Sequence, residues 1–393
     1  MRLPTADEEG EVMDVVIIGE FPHERREALR LASTRAGFQP SFHEEVSHAR
    51  QALRFGSPPS AIVVDGCAPE LESFVEWMRG EGRLFTVPVL VTAPVPSHGA
   101  FLEVQRMGAD DVVLERDLGG LTRRLAHLAD FDPVARPATR GGTAVIAHAS
   151  SRRRRLLGRI LRMSGFDLSF AQDAEELVNL AGAEVAATGT QSDSVPVPER
   201  PVLLVASMDL PPAGPIAAVQ QAALHTPLVL LGPTRALHDL REAATALPDC
   251  SVGSDQSPPD HLLFLANELL RGPGANNRAS ARVLHGAVCA FRPAGGLDAE
   301  FGLTYNISRE GMYVRTLDPP KRGDELWLEL RPPGERQAVH LRGECAWVKS
   351  ANRAGGATPP GFGLRLRGDA CPPADLAAYQ AAYDTLHAQQ PLH

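Results

Sequence analysis

Lysine is almost missing from this chain: of 393 residues only Lys321 and Lys349 are lysines, and arginine carries nearly all the positive charge. Acidic residues outnumber basic ones, giving a formal net charge of -9 and a sequence pI near 5.8. No global field therefore draws the chain to DNA, RNA or an anionic membrane, and no DNA partner is expected. Cysteine is sparse too. Cys67, Cys250, Cys289, Cys345 and Cys371 form no CxxC pair and no Cys/His group, which excludes a zinc cage and a disulfide framework and suits small apolar residues in a reducing compartment. No apolar run approaches the roughly 18 residues of a membrane span. The opening MRLPTADEEGEVMD is acidic where a secretory leader is basic and then apolar, so the expected location is cytoplasmic. No phosphate-cradling P-loop, nucleophile elbow or metal cluster occurs, and an enzyme is disfavoured.

What is present is apolar content, 44% of the chain, enough at this length for two or three cores; three are expected. From residue 14 to about 130, short β-branched runs (DVVIIG, SAIVVDG, TVPVLVTA, ADDVVL) alternate with amphipathic stretches such as HERREALRLASTRAG. That alternation predicts a parallel sheet covered on both faces. Residues 143 to 271 repeat the scheme with TAVIAHA, SRRRRLLGRILRMSG, PVLLVAS and TPLVLLG. A duplication is indicated by AGFQPSF at 36–42 and SGFDLSF at 164–170, which share Gly, Phe, Ser and Phe at a constant offset. Seams rich in Pro, Gly, Ala or Asn fall at 132–142 and 271–277, and the polar loop 186–200 reads as an insertion that leaves the second sheet intact. The run Arg152 to Arg155, with Arg159 and Arg162, resembles a nucleic-acid patch. It shares its helix with the apolar stripe Leu156, Leu157, Ile160 and Leu161, so a solvated or partner-contacting face is expected. After Arg278 the texture changes to alternating strands (GMYVRT, ELWLEL, AVHLRGECAWVK, GFGLRLRG) broken by PP, PG and GG turns, then the helical ADLAAYQAAYDTLH. This predicts an antiparallel β-barrel with a C-terminal helix packed across its mouth.

The first two units resemble response-regulator receiver domains, with a flavodoxin-like α/β fold. In the first, Asp65 ends a strand four residues before Pro69, Thr92-Ala93 ends the next, and Gly108-Ala-Asp-Asp111 precedes the last. The resemblance makes Asp65 the candidate phosphoacceptor and Thr92 the switch hydroxyl. The family's acidic pair, which holds Mg²⁺ for phosphoryl transfer, falls at Gly19 and Glu20, and its lysine falls at Glu115, where a carboxylate repels a phosphoryl dianion. In the second unit the pair falls at Ala147 and His148 and the acceptor position at Ser207, with Asp209 two residues further on. Both units are expected to be pseudo-receivers that bind protein partners or pair into a homodimer; Mg²⁺ is implied only if Asp65 is phosphorylated.

The C-terminal unit carries Arg278-Ala-Ser-Ala-Arg282 and, further on, Asn306-Ile-Ser-Arg-Glu-Gly311. An arginine fork bonds bidentately to phosphate or to a guanine edge and stacks on a base. Two arginines four apart, on a segment after the GPGANN linker, can clasp one ligand and become ordered on binding. Asn and Ser at alternate positions of a strand face the same side, and Gly311 lets the backbone turn with no side chain in the pocket. Together these halves, RxxxR and [DN]xSxxG, resemble the signature of the PilZ family over residues 278 to about 387. The resemblance implies a six-stranded barrel binding cyclic di-GMP through Arg278, Arg282, Asn306, Ser308 and Gly311. The expected architecture is thus two receiver-type units, 14–130 and 143–271, followed by a PilZ unit, 278–387. The expected role is a cyclic di-GMP effector that signals to protein partners by conformational change. Two alternatives are a response regulator gated at Asp65 and a ligand-independent scaffold for motility or polarity machinery.

Overall fold

The structure, a computed structural model, describes residues 13–129, 142–182, 200–271 and 280–389, apart from 212–213, 222–224, 248, 334, 336 and 352–357. The first unit runs β1 (Met13–Ile18), α1 (His23–Arg35), β2 (Phe38–His43), α2 (Val46–Phe55), β3 (Ala61–Asp65), α3 (Leu71–Gly80), β4 (Val89–Ala93), α4 (His98–Arg106), β5 (Asp111–Leu114) and α5 (Leu118–Leu128). Its strands pair in parallel in the order β2-β1-β3-β4-β5, the flavodoxin-like doubly wound order. Central strands such as β4, VLVTA, are buried along their whole length, as helices on both faces of a parallel sheet require.

The second unit repeats this with β6 (Thr143–Ala147), α6 (Ser151–Met163), β7 (Asp167–Ala171), α7 (Ala174–Gly182), β8 (Leu203–Ser207), α8 (Pro215–Gln221), β9 (Leu228–Gly232), α9 (Leu237–Ala244), β10 (Cys250–Ser254) and α10 (His261–Leu270). Its order, β10-β9-β8-β6-β7, is the same scheme. β8 still pairs with β6 beyond the 186–200 segment, most of which lies outside the described residues. The repeated Gly-Phe has a physical basis in both units. Gly37 and Gly165 end α1 and α6 in the left-handed region, with φ of 89° and 94°, and their N–H groups bond back to Thr34 and Arg162 at 3.0 Å. The phenylalanines that follow, Phe38 and Phe166, are buried anchors.

The third unit is antiparallel: β11 (Val283–Leu284), β12 (Val288–Pro293), β13 (Glu300–Ser308), β14 (Gly311–Arg315), β15 (Glu325–Leu330), β16 (Val339–Lys349) and β17 (Gly361–Leu366), then α11 (Pro373–Gln389). Pairing of β13 with β14 closes six of these strands into a barrel, and β11 adds to β13 from outside that ring. Ile307, Met312, Val314, Phe291 and Phe362 fill the interior, together with Tyr379 and Tyr383 of α11.

The barrel packs against both α/β units. Leu303 of β13 joins the core of the first unit, while Tyr305 and Tyr313 join that of the second beside Leu262, Phe264 and Leu265. A buried polar knot ties all three. Asp110 accepts from Arg79 of its own unit at 3.0 Å and from Arg159 of α6 at 2.8 Å, and its backbone carbonyl accepts from Arg315 of β14 at 3.0 Å. Arg315 also pairs with Asp260 of the second unit. The neighbouring Asp111 accepts from Arg124 at 3.0 Å and from the Leu317 N–H at 2.7 Å. Burial alone would raise the Asp110 carboxyl; Arg159, Arg79 and the Val89 N–H outweigh it and hold the group below its ordinary range. The arginine run on α6 is spent on this interface as well: Arg152 pairs with Glu72, and Arg155 with Glu76 at 3.6 Å, both on α3.

Candidate ligand-binding site

The β13–β14 hairpin positions the second half of the motif. Its register sets Asn306 opposite Tyr313 and Ser308 opposite Gly311, with a bulge between Thr304 and Asn306. Ile307 points into the barrel, so Asn306 and Ser308, its neighbours in the strand, face outward. β11 then lies antiparallel along the same strand, pairing Val283 with Ile307 and Leu284 with Asn306. One step further along that register, Arg282 falls opposite Ser308. The two half-motifs, two dozen residues apart in sequence, therefore meet on one face of the barrel. Arg278 lies outside the described residues.

Asn306 is 2% exposed, and its side-chain oxygen has no hydrogen-bond partner among the described residues. A buried amide oxygen without a donor is costly and marks a place where a ligand donor fits. The Ser308 hydroxyl donates to the Gly311 carbonyl at 3.2 Å. Gly311 differs from expectation: the φ of this residue is not in the left-handed region, and a β-carbon there would lie 2.1 Å from the Leu364 carbonyl of β17. What demands glycine is the close passage of β17, in addition to any need of a pocket. Beside the site, Tyr313 stacks on Trp347 at 4.8 Å between ring centroids, which gives Trp347 a packing role. With a guanidinium, an unpartnered amide oxygen and a hydroxyl together, the face can take an anion and the hydrogen-bonding edge of a base.

The clefts of the two α/β units are built differently from this face. In the first, Asp65 ends β3 in register with Thr92, whose hydroxyl is buried without a partner among the described residues. The Phe21 ring lies against Gly19, where a β-carbon would come 2.6 Å from that of Asp65; the place of an acid is filled by packing. Asp65, Cys67 and Glu115 bring one ligand atom each within 4.8 Å of one another. Burial lowers the Arg25 guanidinium of α1 while the charges of Glu115 and Asp65 raise it, so a cation missed by sequence reading lies near these carboxylates. Two carboxylates and a soft thiol, with neither acid pair nor lysine, do not fit Mg²⁺-dependent phosphoryl transfer.

Backbone hydrogen bonds align the second cleft with the first. His148 N bonds to the end of β7 as Gly19 N does to the end of β2, and Asp255 N to the end of β9 as Glu115 N does to the end of β4. His148 thus takes the place of Gly19, so the pair position of the second unit falls at His148 and Ala149, one residue beyond the Ala147 and His148 expected from sequence; Ser207 takes the place of Asp65, Leu231 that of Thr92 and Asp255 that of Glu115. Ser207 reaches Asp255 at 3.5 Å and His148 lies 3.4 Å from the same carboxylate. The His148 Nδ1 accepts from the Ser150 N–H at 2.9 Å, so this nitrogen does not stand ready to take the Ser207 proton.

Residues 276–379 match the PilZ domain family, and this part of the chain is a PilZ domain, placed after two doubly wound α/β units. No curated protein matches the chain. Among solved structures, an inhibitor of motility from Bacillus subtilis is 16% identical over 30% of this chain and 54% of its own, with a TM-score of 0.25. The chain thus spans about half the length of that protein. A chemotaxis response regulator of Vibrio cholerae is 16% identical over 30% of this chain and 99% of its own, TM-score 0.28. A receiver domain of a Francisella response regulator is 14% identical over 33% and 96%, TM-score 0.27. At these scores the likenesses carry no functional argument; the strand orders carry the fold. Among the described residues no helix is long and apolar enough to cross a membrane.

Proposed function

We propose that the chain is a cytoplasmic cyclic di-GMP effector, with the ligand held by Arg278, Arg282, Asn306, Ser308 and Gly311 and the signal passed to protein partners by conformational change. The units 14–130, 143–271 and 278–387 act as its three domains. The observation that carries this reading is the meeting of the half-motifs: β11 lays Arg282 opposite Ser308, next to a buried Asn306 oxygen that lacks a donor. The ligand's guanine N–H groups supply such donors, and its two phosphates suit paired arginines. Because Tyr305 and Tyr313, which flank Asn306 in the hairpin, pack on α10, a ligand on this face biases the fit of barrel against second unit. That bias is differential binding to two arrangements, the requirement for a ligand to act as a signal.

Phosphorylation at Asp65 is the weaker reading, since Glu115 converges on the same point and repels a phosphoryl group. Equilibrium binding to the full-length chain tests the proposal. Asn306→Leu, which keeps the branched shape and removes the amide, should weaken cyclic di-GMP binding about tenfold or more. Equal affinity in wild type and Asn306→Leu would remove Asn306 from the site.

A further inference from the structure

The two half-motifs are bonded to one another through residues that lie between the five named ones. Ser280, midway between the arginines, donates its hydroxyl to the carboxylate of Glu310, which sits between Ser308 and Gly311. The same hydroxyl oxygen accepts from the Arg309 N–H at 3.3 Å. α11 adds a second set of bonds. Tyr383 donates to the Ala281 carbonyl at 2.9 Å and also lies within reach of the Ser280 hydroxyl. Asp384 takes Arg309 at 2.8 and 2.9 Å. Tyr379 donates to the carbonyls of Ser308 and Gly311 at 3.0 and 2.8 Å. Both tyrosines belong to the barrel core, so the hydroxyls they present are fixed in place.

Residues 280–282 precede β11 and belong to no helix or strand. Freezing such a segment has an entropic cost that a ligand must otherwise meet on binding. Bonds within the chain that fix it beforehand remove that cost. We propose that Ser280, Glu310 and Tyr383 are positioning residues, a clasp that holds the arm against the hairpin so that Arg282 stands opposite Ser308 before any ligand arrives. The inference rests on the cyclic di-GMP reading and sharpens it: the arm from Ser280 onward is preformed.

Two readouts on the full-length chain test the clasp: calorimetric titration with cyclic di-GMP, and hydrogen exchange at the amides of residues 281–284. Ser280→Ala and Tyr383→Phe should each weaken binding about five- to tenfold, the upper figure being about 1.4 kcal/mol. In both variants the arm amides should exchange faster without ligand and slow again at saturation, while Ser280→Thr restores wild-type behaviour. A general loss of stability would instead raise exchange throughout the barrel. Arg282→Ala, run alongside, should weaken binding far more than either. If Ser280→Ala and Tyr383→Phe bind as wild type while Arg282→Ala does not, the clasp is wrong and the ligand reading stands. If Arg282→Ala binds as wild type, the ligand reading is wrong and the clasp with it.

Discussion

At the scale of single residues, the site's glycine and its asparagine answer to different forces. Gly311 lies where β17 runs tightly against β14, and a β-carbon there would sit 2.1 Å from the Leu364 carbonyl, which leaves no room for a methyl group. Gly311→Ala should therefore cost about 2 kcal/mol or more through forced displacement of backbone, measurable as a lower urea midpoint with unchanged slope. A midpoint equal to wild type would show that the strands part easily. Its role as a close-packing position was not legible in sequence, because the partner strand lies some fifty residues downstream. Asn306 and Ser308 were legible as a same-face pair from strand periodicity alone. That the Asn306 oxygen is buried without a donor depends on β11 and β14, and no local pattern announces it.

At the scale of elements, α10 and the bend between β11 and β12 carry two histidines, His261 and His285, that no sequence motif singles out. Burial, then Arg315, pushes His261 down to about 3; burial, then His98, pushes His285 down to about 4. The ordinary value is near 6.5, so the unfolded chain binds more protons than the folded one between about pH 4 and 6.5. Stability is then fully present above about pH 6.5 and falls as pH drops through that window. Denaturant unfolding at pH 7 and pH 4.5 should show the loss, and His261→Gln should flatten part of the slope; a wild-type stability indifferent to that change in pH would contradict the burial of both rings. The parallel sheets themselves were readable from runs such as VVII and LLVA, since strands buried on both faces are almost wholly apolar. β11, two residues long, and the outward turn of Tyr305 towards α10 were not, because both are set by packing between units.

At the scale of the whole molecule, three units that look separable in sequence share buried surface. The reason they could not be joined by inspection is that the joints are polar: Asp110, Arg159, Arg315 and Asp260 each resemble surface residues until their partners appear. Arg315 lies on the strand that begins at Gly311 and touches both α/β units, which makes β14 a physical route between ligand face and domain arrangement. Removing one partner of a buried ion pair costs about 3–5 kcal/mol. Arg315→Ala should accordingly loosen the assembly, with a larger radius of gyration in small-angle scattering, and by reciprocity of coupling should also shift ligand affinity. An unchanged scattering profile would show that the apolar contacts of Leu303 and Tyr305 suffice to hold the units.

The central claim, that the barrel face bearing both half-motifs is a cyclic di-GMP site, is tested most directly by titrating the full-length chain and its Arg282→Ala variant with that nucleotide. Saturable binding by the wild type, weakened about thirtyfold or more in the variant as loss of a charge-assisted contact near 2 kcal/mol requires, is the expected result; no binding by the wild type, or equal binding by both, would contradict it.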